Sequence, residues 1–292
     1  MNAEMKHWLE YRELHQMHPK TDSEAKVDYY QRNSEFLRAA NREPEPEIAI
    51  VIPAHNEENW LPRTLSSINR VIQASRNVKT EVIIVNNRST DDTAKIVEEF
   101  GAILVNESQK GVGRARQAGL EATHSSVKYV LTSDADTLIP EQWINRYRNG
   151  LAVDGVVFGY GNIKFFPDTD LKFQDQIALM GYNMIANTVH EIKNRKGIWV
   201  AGGANQGYSR EAAMAIGGYQ AHLQMGEDTD LMNRLAQSGG IIKIKNNEVI
   251  TSSRRIVKKG ILGHGVERLK NNIIQTITGH AIVSETYQDY RV

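Results

Sequence analysis

The stretch that decides the fold is YVLTSDADT, residues 129–137. Its apolar beginning, from Tyr129 to Leu131, is typical of a buried parallel strand, and it changes abruptly into two carboxylates, Asp134 and Asp136. In an open α/β sheet, the carboxyl ends of the strands face the ligand crevice. Oxygen ligands placed there suit Mg²⁺ or Mn²⁺ held together with the phosphates of a substrate. The stretch therefore predicts a site for a metal and a diphosphate.

A plainer interpretation is that Asp134 and Asp136 cap the helix that Pro140 to Trp143 indicates. A calcium loop of the EF-hand type fits poorly, because Ile139 stands where that loop needs glycine. A D-x-D triplet alone does not decide between a helix cap and a ligand site. The decision depends on the rest of the chain.

Composition excludes several classes of function. The 292 residues carry 35 basic and 35 acidic side chains, so net charge gives no bulk attraction to nucleic acid or to an anionic membrane. Cysteine is absent, which excludes thiol catalysis and thiolate zinc sites and fits a cytoplasmic protein. No apolar run approaches the length needed to cross a bilayer. We expect a soluble, cytoplasmic protein without a nucleic-acid partner.

The hydrophobic runs predict one main α/β domain. Residues 1–45 carry sparse helical stripes and predict an N-terminal helical arm that packs on the rest of the chain, and Pro44 and Pro46 then break the helix. Residues 46–255 form the predicted main domain, and residues 256–292 a helical tail.

Four strand signals with intervening helices open the main domain, at residues 48–52, 82–85, 102–105 and 129–131. This alternation predicts a parallel, doubly wound sheet whose polar loops gather at one edge into one site. After Pro140 we predict two strands over 155–160 and 162–166 that pair antiparallel, then a helix over 171–192. A strand over 198–200 is predicted to enter a glycine-rich turn.

Two features of the later half point to a ligand. Gly203 lies in the glycine-rich turn, where the backbone can approach a ligand closely, although a tight hairpin would need the same residue type. Glu227 and Asp228 begin a helix, where the helix dipole favours anions. Capping alone needs fewer acids, and adjacent carboxylates repel each other, so proton transfer is a second interpretation.

Two basic features lie closer to the C-terminus. Arg254 and Arg255 follow a predicted strand and suit a phosphate group, although exposed arginine pairs are also common on solvated surfaces. His264 lies in the predicted tail. A lone histidine is more often structural than a metal ligand.

The motifs occur in a specific order that resembles inverting glycosyltransferases of family 2, which have the GT-A fold. They are VIPAHNEE (51–58), VNNRSTDDT (85–93), GRARQAG (113–119), SDADT (133–137), GGANQGYSR (202–210) and GEDTDL (226–231). Each motif is weak alone, and the resemblance over residues 47–255 rests on their order. It implies that residues 46–137 bind a nucleotide diphosphate sugar and that residues 138–255 shape the acceptor pocket.

The resemblance also implies roles for individual residues. The implied nucleotide-sugar-binding residues are Arg116, Asp134, Asn87 at the floor of the base and ribose site, and Pro53, Ala54 and Glu57 around it. The local features described above add Gly203 and Arg255 to this set. Asp136 is implied as the direct metal ligand, with Asp134 beside it, and Mg²⁺ or Mn²⁺ as the metal. Asp228 matches the general base, with Glu227 next to it.

Two departures from the family pattern limit what carries over. Many members have an acid where this chain has Asn86 or Asn87, and in the uridine-dependent members that acid accepts a hydrogen bond from the base. An amide can both donate and accept, so a base other than uridine is open. We also expect no C-terminal membrane anchor like that of the polyprenyl-phosphate sugar synthases. This disfavours a membrane-embedded lipid acceptor, while peripheral membrane contact through residues 258–292 stays open.

We therefore expect a metal-dependent inverting transferase that moves a sugar from a nucleotide diphosphate to a hydroxyl acceptor, in polysaccharide or other glycan or glycolipid assembly. A retaining GT-A enzyme would share the donor site without needing Asp228 as a base. A sugar-1-phosphate nucleotidyltransferase would need a glycine-rich phosphate loop after the first strand, where this chain has Ala54, His55 and Asn56. A catalytically silent nucleotide-sugar-binding protein is disfavoured by the intact acids.

Overall fold

The computed structural model describes residues 23–166, 173–200, 202–223 and 225–260. Within them the strands are β1 (Ile48–Ala54), β2 (Thr80–Asn86), β3 (Ile103–Asn106), β4 (Tyr129–Thr132), β5 (Thr137–Leu138), β6 (Val156–Tyr160), β7 (Ile163–Phe166), β8 (Gln206–Ser209), β9 (Gly240–Lys243) and β10 (Val249–Ser252). The helices are α1 (Ser23–Arg32), α2 (Glu35–Ala40), α3 (Leu61–Ala74), α4 (Thr93–Phe100), α5 (Val112–Glu121), α6 (Trp143–Leu151), α7 (Phe173–Arg195), α8 (Arg210–Ala215), α9 (Glu227–Leu235) and α10 (Arg254–Lys259).

A seven-stranded sheet in the order β3-β2-β1-β4-β8-β6-β9 forms the centre of the molecule. The first four strands are mutually parallel, which confirms the predicted doubly wound half. Residues of β1 alternate between two cores, because successive side chains of a strand point to opposite faces. Ile48, Ile50 and Ile52 join α3, α4 and α6 on one face, whereas Ala49 and Val51 join α5 and α9 on the other. Burial on both faces explains the continuous apolar run of β1.

The strand register brings the predicted loops to one edge of this sheet. Ala54 at the end of β1 lies opposite Asn86, which lies opposite Asn106 at the end of β3. Strand β8 is antiparallel to β4, and its first residue, Gln206, lies opposite Thr132, the last residue of β4. The loops that follow β1, β2 and β4 and the glycine-rich turn that precedes β8 therefore meet at the same edge.

The predicted antiparallel pairing of residues 155–160 with residues 162–166 is wrong. Strand β6 lies in the central sheet, antiparallel to β8, whereas β7 runs parallel to β10 in a second sheet with the order β5-β10-β7. The chain changes sheets at Gly161, whose N–H donates to the carbonyl of Asn205 at 3.0 Å. Two short runs separated by two residues suit a hairpin locally, and this tertiary contact overrides that preference.

The predicted strand over residues 198–200 is also absent; the strand of this region is β8, after the glycine-rich turn. The Asn194 side chain engages both backbone groups of Val200, accepting from its N–H at 2.7 Å and donating to its carbonyl at 3.1 Å. An amide side chain thus takes the backbone groups that a neighbouring strand would need. The helix predicted before it is observed as α7.

The described part of the N-terminal arm packs on the main domain, as predicted. Tyr29, Tyr30, Leu37 and Ala40 are buried in the same core as β1. The division of the chain at residues 46 and 255 stays a prediction. His264 and the rest of the tail after residue 260 lie outside the described residues. Across the described part of the chain, no helix combines the length and the apolarity that crossing a membrane requires.

Candidate functional site

A buried arginine lies at the centre of the site. Arg116 of α5 is 2% exposed, and its guanidinium contacts three segments that are distant in sequence. Its Nη2 donates to Oδ1 of Asp134 at 2.8 Å and its Nε to Oε1 of Glu227 at 3.0 Å. Its Nη1 lies 3.4 Å from the carbonyl oxygen of Gly203. Arg116 therefore joins the loop after β4, the glycine-rich turn and the start of α9.

The charge on Arg116 is maintained by its neighbours. Burial opposes this charge, but the negative charges of Asp134 and Glu227 raise the pKa of the guanidinium above its ordinary value. The resemblance assigned Arg116 to the nucleotide. In the structure its guanidinium lies between Asp134 and Glu227 and binds both, and its contact with a nucleotide stays a prediction.

Gly203 is required by close packing against Arg116. A Cβ built at Gly203 would lie 2.1 Å from Nη2 of Arg116, far inside van der Waals contact. The Gly203 carbonyl also accepts a hydrogen bond from the Thr132 hydroxyl at 2.9 Å. The predicted close approach at Gly203 is thus to protein groups; an approach to a ligand stays a prediction.

Asp228 is held by backbone groups from two segments. Its Oδ2 accepts the N–H of Gly203 at 2.6 Å, and its Oδ1 accepts the N–H of Thr229 at 2.7 Å. Gly226 precedes α9 with φ 82°, a left-handed conformation that suits glycine and sets the direction of the helix. Each carboxylate oxygen has two lone pairs, so Asp228 can accept a further hydrogen bond.

Glu227 and Asp228 differ in their surroundings. Glu227 is 5% exposed and bonded to Arg116, whereas Asp228 is only partly buried. Burial raises the pKa of Glu227 to about 7; the charge of Asp228 adds to the increase and Arg116 opposes it. Burial also raises the pKa of Asp228, although Arg116 and the two backbone N–H groups favour its charged form. Of the two carboxylates, Asp228 is the more exposed to solvent.

A second ion-pair cluster surrounds Asp136. Nη2 of Arg254 lies 3.0 Å from Oδ2 of Asp136, and 2.6 and 2.7 Å from the two carboxylate oxygens of Glu57. Oδ1 of Asp136 accepts a hydrogen bond from the Thr251 hydroxyl at 3.1 Å. The Arg254 guanidinium carbon lies 5.2 Å from the centre of the Trp60 ring, within cation–π distance.

The small sheet positions this second cluster. Asp136 directly precedes β5 and Arg254 follows β10 after one residue, and these two strands pair antiparallel. The Thr137 hydroxyl donates to that of Thr251 at 2.9 Å inside the pair. The Ser252 N–H donates to the Asp136 carbonyl at 3.2 Å. The pairing therefore brings a C-terminal arginine to the acidic loop after β4.

The acids fit a divalent metal whose coordination is completed by oxygen atoms of a substrate. Among the residues the structure describes, no group of three or more histidine, aspartate or glutamate side chains could hold a metal by itself. Mg²⁺ in phosphate-transfer sites is typically bound by one or two carboxylates together with substrate phosphates. Asp134, whose side chain is 42% exposed, and Asp136 supply such a pair. A protein-only metal cage is not what these residues form.

The other predicted residues lie near the same edge with differing roles. Pro53 and Ala54 end β1. The Asn87 side chain donates to the carbonyls of Glu107 and Gln109 and accepts the N–H of Gly111, so it fixes the loop before α5. Its contact with a base stays a prediction.

Of the two adjacent arginines, Arg254 contacts Glu57 and Asp136. The sequence-based choice of Arg255 as the donor ligand stays a prediction, and this side chain is exposed. Sequence reasoning named both arginines as suited to a phosphate but kept only Arg255 among the ligand-binding residues, and it assigned no role to Thr251. Thr251 and Arg254 both lie at the end of a predicted strand, and that position alone does not distinguish them from the residues next to them.

An open cleft adjoins the glycine-rich turn on the far side of β8 from Asp134. Gly202 lines it together with Tyr160, Asn162 and Lys243, at the ends of β6 and β9, and His190 of α7. Tyr160 pairs with Gln206 on one side and with Lys243 on the other, so the cleft opens at the same sheet edge as the acids.

This architecture is the GT-A fold of nucleotide-diphospho-sugar transferases. It is shared by the mannosyltransferase PcManGT from Pyrobaculum calidifontis, solved in complex with GDP-Man and Mn²⁺, with a TM-score of 0.57 at 18% identity over 88% of this chain and 73% of that chain. S. aureus TarS 1-349, solved in complex with UDP-GlcNAc, gives a TM-score of 0.53 at 16% identity over 71% of this chain and 59% of that chain.

The sequence places the chain within this class. The family described as Glycosyl transferase family 2 matches residues 49–217, and the chain belongs to that family. The glycosyltransferase AglE of Haloferax volcanii is 25% identical over 201 residues, which cover 66% of this chain and 62% of that protein. The match thus spans less than two thirds of the relative's length. The resemblance drawn from the ordered motifs is confirmed.

Proposed function

We propose that this chain is a metal-dependent, inverting glycosyltransferase that transfers a sugar from a nucleotide diphosphate to a hydroxyl group in glycan or glycolipid assembly. The observation that carries the proposal is the arrangement around Arg116. One guanidinium fixes Asp134, on the donor side, relative to Glu227 and the adjacent Asp228. The site therefore has one group of carboxylates for metal and diphosphate and a separate carboxylate for a proton.

In this mechanism Asp228 is the general base. The acceptor hydroxyl must lose its proton as its oxygen attacks the anomeric carbon, and a positioned carboxylate accepts that proton. Asp228 is oriented for this by the N–H groups of Gly203 and Thr229. Glu227, buried and paired with Arg116, positions the start of α9. One attack from the face opposite the leaving group inverts the anomeric configuration and requires no covalent enzyme intermediate.

Asp134 and Asp136 would hold Mg²⁺ or Mn²⁺, which supplies charge neutralisation for the departing diphosphate. The donor's base and ribose would lie against Pro53, Ala54 and Glu57 at the end of β1. Mn²⁺ in the PcManGT complex supports the choice of metal.

The acceptor would occupy the cleft beside Gly202. This cleft and Asp228 adjoin opposite ends of the same two-residue turn, since Gly202 lines the cleft and Gly203 binds Asp228. Tyr160 and Phe165 offer aromatic surface, and Asn162 offers an amide, a combination suited to a hydroxylated ligand.

A thermal-shift screen of nucleotide diphosphate sugars, each with Mn²⁺ and with EDTA, tests the proposal. A donor at a hundred times its Kd stabilises the native state by about 2.7 kcal/mol, so one sugar nucleotide should raise Tm in a Mn²⁺-dependent manner. The hit identifies base and sugar together. NMR of the product formed from that donor then gives the anomeric configuration. A folded protein that shifts with no donor contradicts the proposal, and a retained anomer contradicts its inverting mechanism.

A further inference from the structure

The guanidinium of Arg254 contacts two carboxylates at once. A single nitrogen, Nη2, lies within 3.0 Å of oxygens of both Glu57 and Asp136. The Glu57 side chain is 4% exposed and that of Asp136 is 12% exposed. Carboxylates this buried need compensating charge or hydrogen bonds. Arg254 supplies it to both in the protein without ligand.

This arrangement conflicts with a metal ion bound to Asp136 before a donor is present. Such an ion would bind the lone pair that remains on an Asp136 oxygen beside its contact with Arg254 or Thr251. It would also bring two positive charges within a few ångströms of the guanidinium, where repulsion is strong because the site is largely screened from water. Metal binding at Asp136 and the Asp136–Arg254 contact therefore oppose each other.

A diphosphate removes the conflict. Its oxygens are strong acceptors for the forked N–H groups of a guanidinium. Arg254 can keep Glu57, the residue of the donor side, and exchange Asp136 for the diphosphate of the arriving donor. The guanidinium carbon of Arg254 also lies 5.2 Å from the centre of the Trp60 ring. This cation–π contact involves neither carboxylate, so it can keep the guanidinium near the site during the exchange.

We propose that Arg254 is an exchange cation, which holds Asp136 in the absence of donor and transfers to the donor diphosphate, so that the metal binds with the diphosphate and not before it. This proposal rests on the proposed function. It makes two predictions of opposite sign for one substitution. Without the Arg254 charge, Mn²⁺ alone binds more tightly, whereas a nucleoside diphosphate with Mn²⁺ binds more weakly.

The test measures the two affinities separately on the full chain. Electron paramagnetic resonance of free Mn²⁺ gives the affinity for the metal alone. Isothermal calorimetry with ADP, CDP, GDP and UDP, each with Mn²⁺, gives the affinity for the diphosphate. For Arg254→Gln we expect Mn²⁺ alone to bind at least tenfold more tightly and the diphosphate that binds wild type to bind at least tenfold more weakly. Gln keeps an amide that can donate to Glu57, and thermal unfolding checks the fold.

Three further variants locate the effect. Arg254→Lys keeps a cation without the fork, so Mn²⁺ alone should bind within threefold of wild type while the diphosphate is weakened. Arg254→Gln combined with Asp136→Asn should lose the gain in Mn²⁺ affinity. The control is Arg148→Gln, which breaks a 3.0 Å ion pair between Arg148 and Glu47. Glu47 precedes β1 and lies at the opposite edge of the sheet, so this variant should leave both affinities within threefold of wild type.

The exchange proposal is overturned if Arg254→Gln binds Mn²⁺ alone no more tightly than wild type, or if its diphosphate affinity is unchanged. If wild type binds none of the four diphosphates, the proposed function fails. The Mn²⁺ titration, which needs no nucleotide, then still decides whether Arg254 opposes the metal at Asp136.

Discussion

Replacing Arg116 by methionine should destabilise the fold strongly. The substitution removes the guanidinium from a site that is 2% exposed and leaves Glu227, whose side chain is 7% exposed, without its ion-pair partner. Removing one partner of a buried pair typically costs about 3–5 kcal/mol, because a buried charge is left uncompensated. Asp134 adds little to this cost, since its side chain is 42% exposed and water can replace Arg116.

The destabilisation should depend on pH in a defined direction. Burial raises the pKa of Glu227 to about 7 in the folded protein, from an ordinary value of 4.5 that applies to the unfolded chain. A group whose folded pKa is raised contributes stability below its unfolded pKa and loses that contribution as the pH rises through its folded pKa. Arg116 limits this loss by favouring the charged form. Its removal should therefore cost most above pH 7 and less near pH 5, where Glu227 is protonated.

Urea unfolding at pH 5.5 and pH 8.5 measures the effect. For Arg116→Met we expect a loss of about 3–5 kcal/mol at pH 8.5 and a loss smaller by at least about 1 kcal/mol at pH 5.5. Adding Glu227→Gln should restore at least about 1 kcal/mol at pH 8.5, since position 227 then carries no buried charge. The control, Arg148→Met, removes a partly exposed pair with Glu47 and should cost about 1 kcal/mol or less at both pH values. A loss below about 1 kcal/mol at pH 8.5, or equal losses at both pH values, would refute the reasoning.

Three further predictions concern the reaction. In calorimetry Asp228→Asn should bind the donor with an affinity within threefold of wild type, and its transfer activity should fall by about a hundredfold or more, the scale of a lost general base. The control is Asp230→Asn, which only breaks a 2.7 Å pair with Arg234 in the same helix. Near-normal transfer by the Asp228 variant would show that another group is the base. Asp136→Ala should lose Mn²⁺-dependent donor binding, measured by calorimetry with and without Mn²⁺, and unchanged binding would exclude its metal role. Because burial raises the pKa of Asp228, the transfer rate of wild type should increase with pH at values above the ordinary pKa range of aspartate. A transfer rate that increases within that ordinary range would contradict the role of Asp228.

The strands of the donor half could be predicted because their signal is local. The run from Ile48 to Ala54 is almost wholly buried on both faces, and burial on both faces requires a continuous apolar run. Polar residues directly after such runs marked the strand ends, and parallel strands bring their carboxyl ends to one edge. Asp134, Asp136 and the loop after β1 were therefore predicted to lie together without knowledge of the register.

The later half could not be predicted equally well, because its pairings depend on distant segments. Strands β6 and β7 are separated by only two residues, yet they belong to different sheets. The backbone groups of Val200 are taken by the Asn194 side chain, so the apolar run before the glycine-rich turn forms no strand. Neither outcome follows from alternation or composition, which report burial but do not identify the partner.

By itself the sequence determined the class of fold and the kinds of group in the site, because apolar runs and the polar residues that follow them are properties of neighbouring positions. Only the tertiary structure decided how the groups are connected. The pairing of β5 with β10 brings Arg254 to Asp136 and to Glu57, which lies 197 residues earlier in the chain. Arg116 likewise joins Asp134 to Glu227. Such contacts depend on strand register and side-chain packing, which no local pattern of residues encodes.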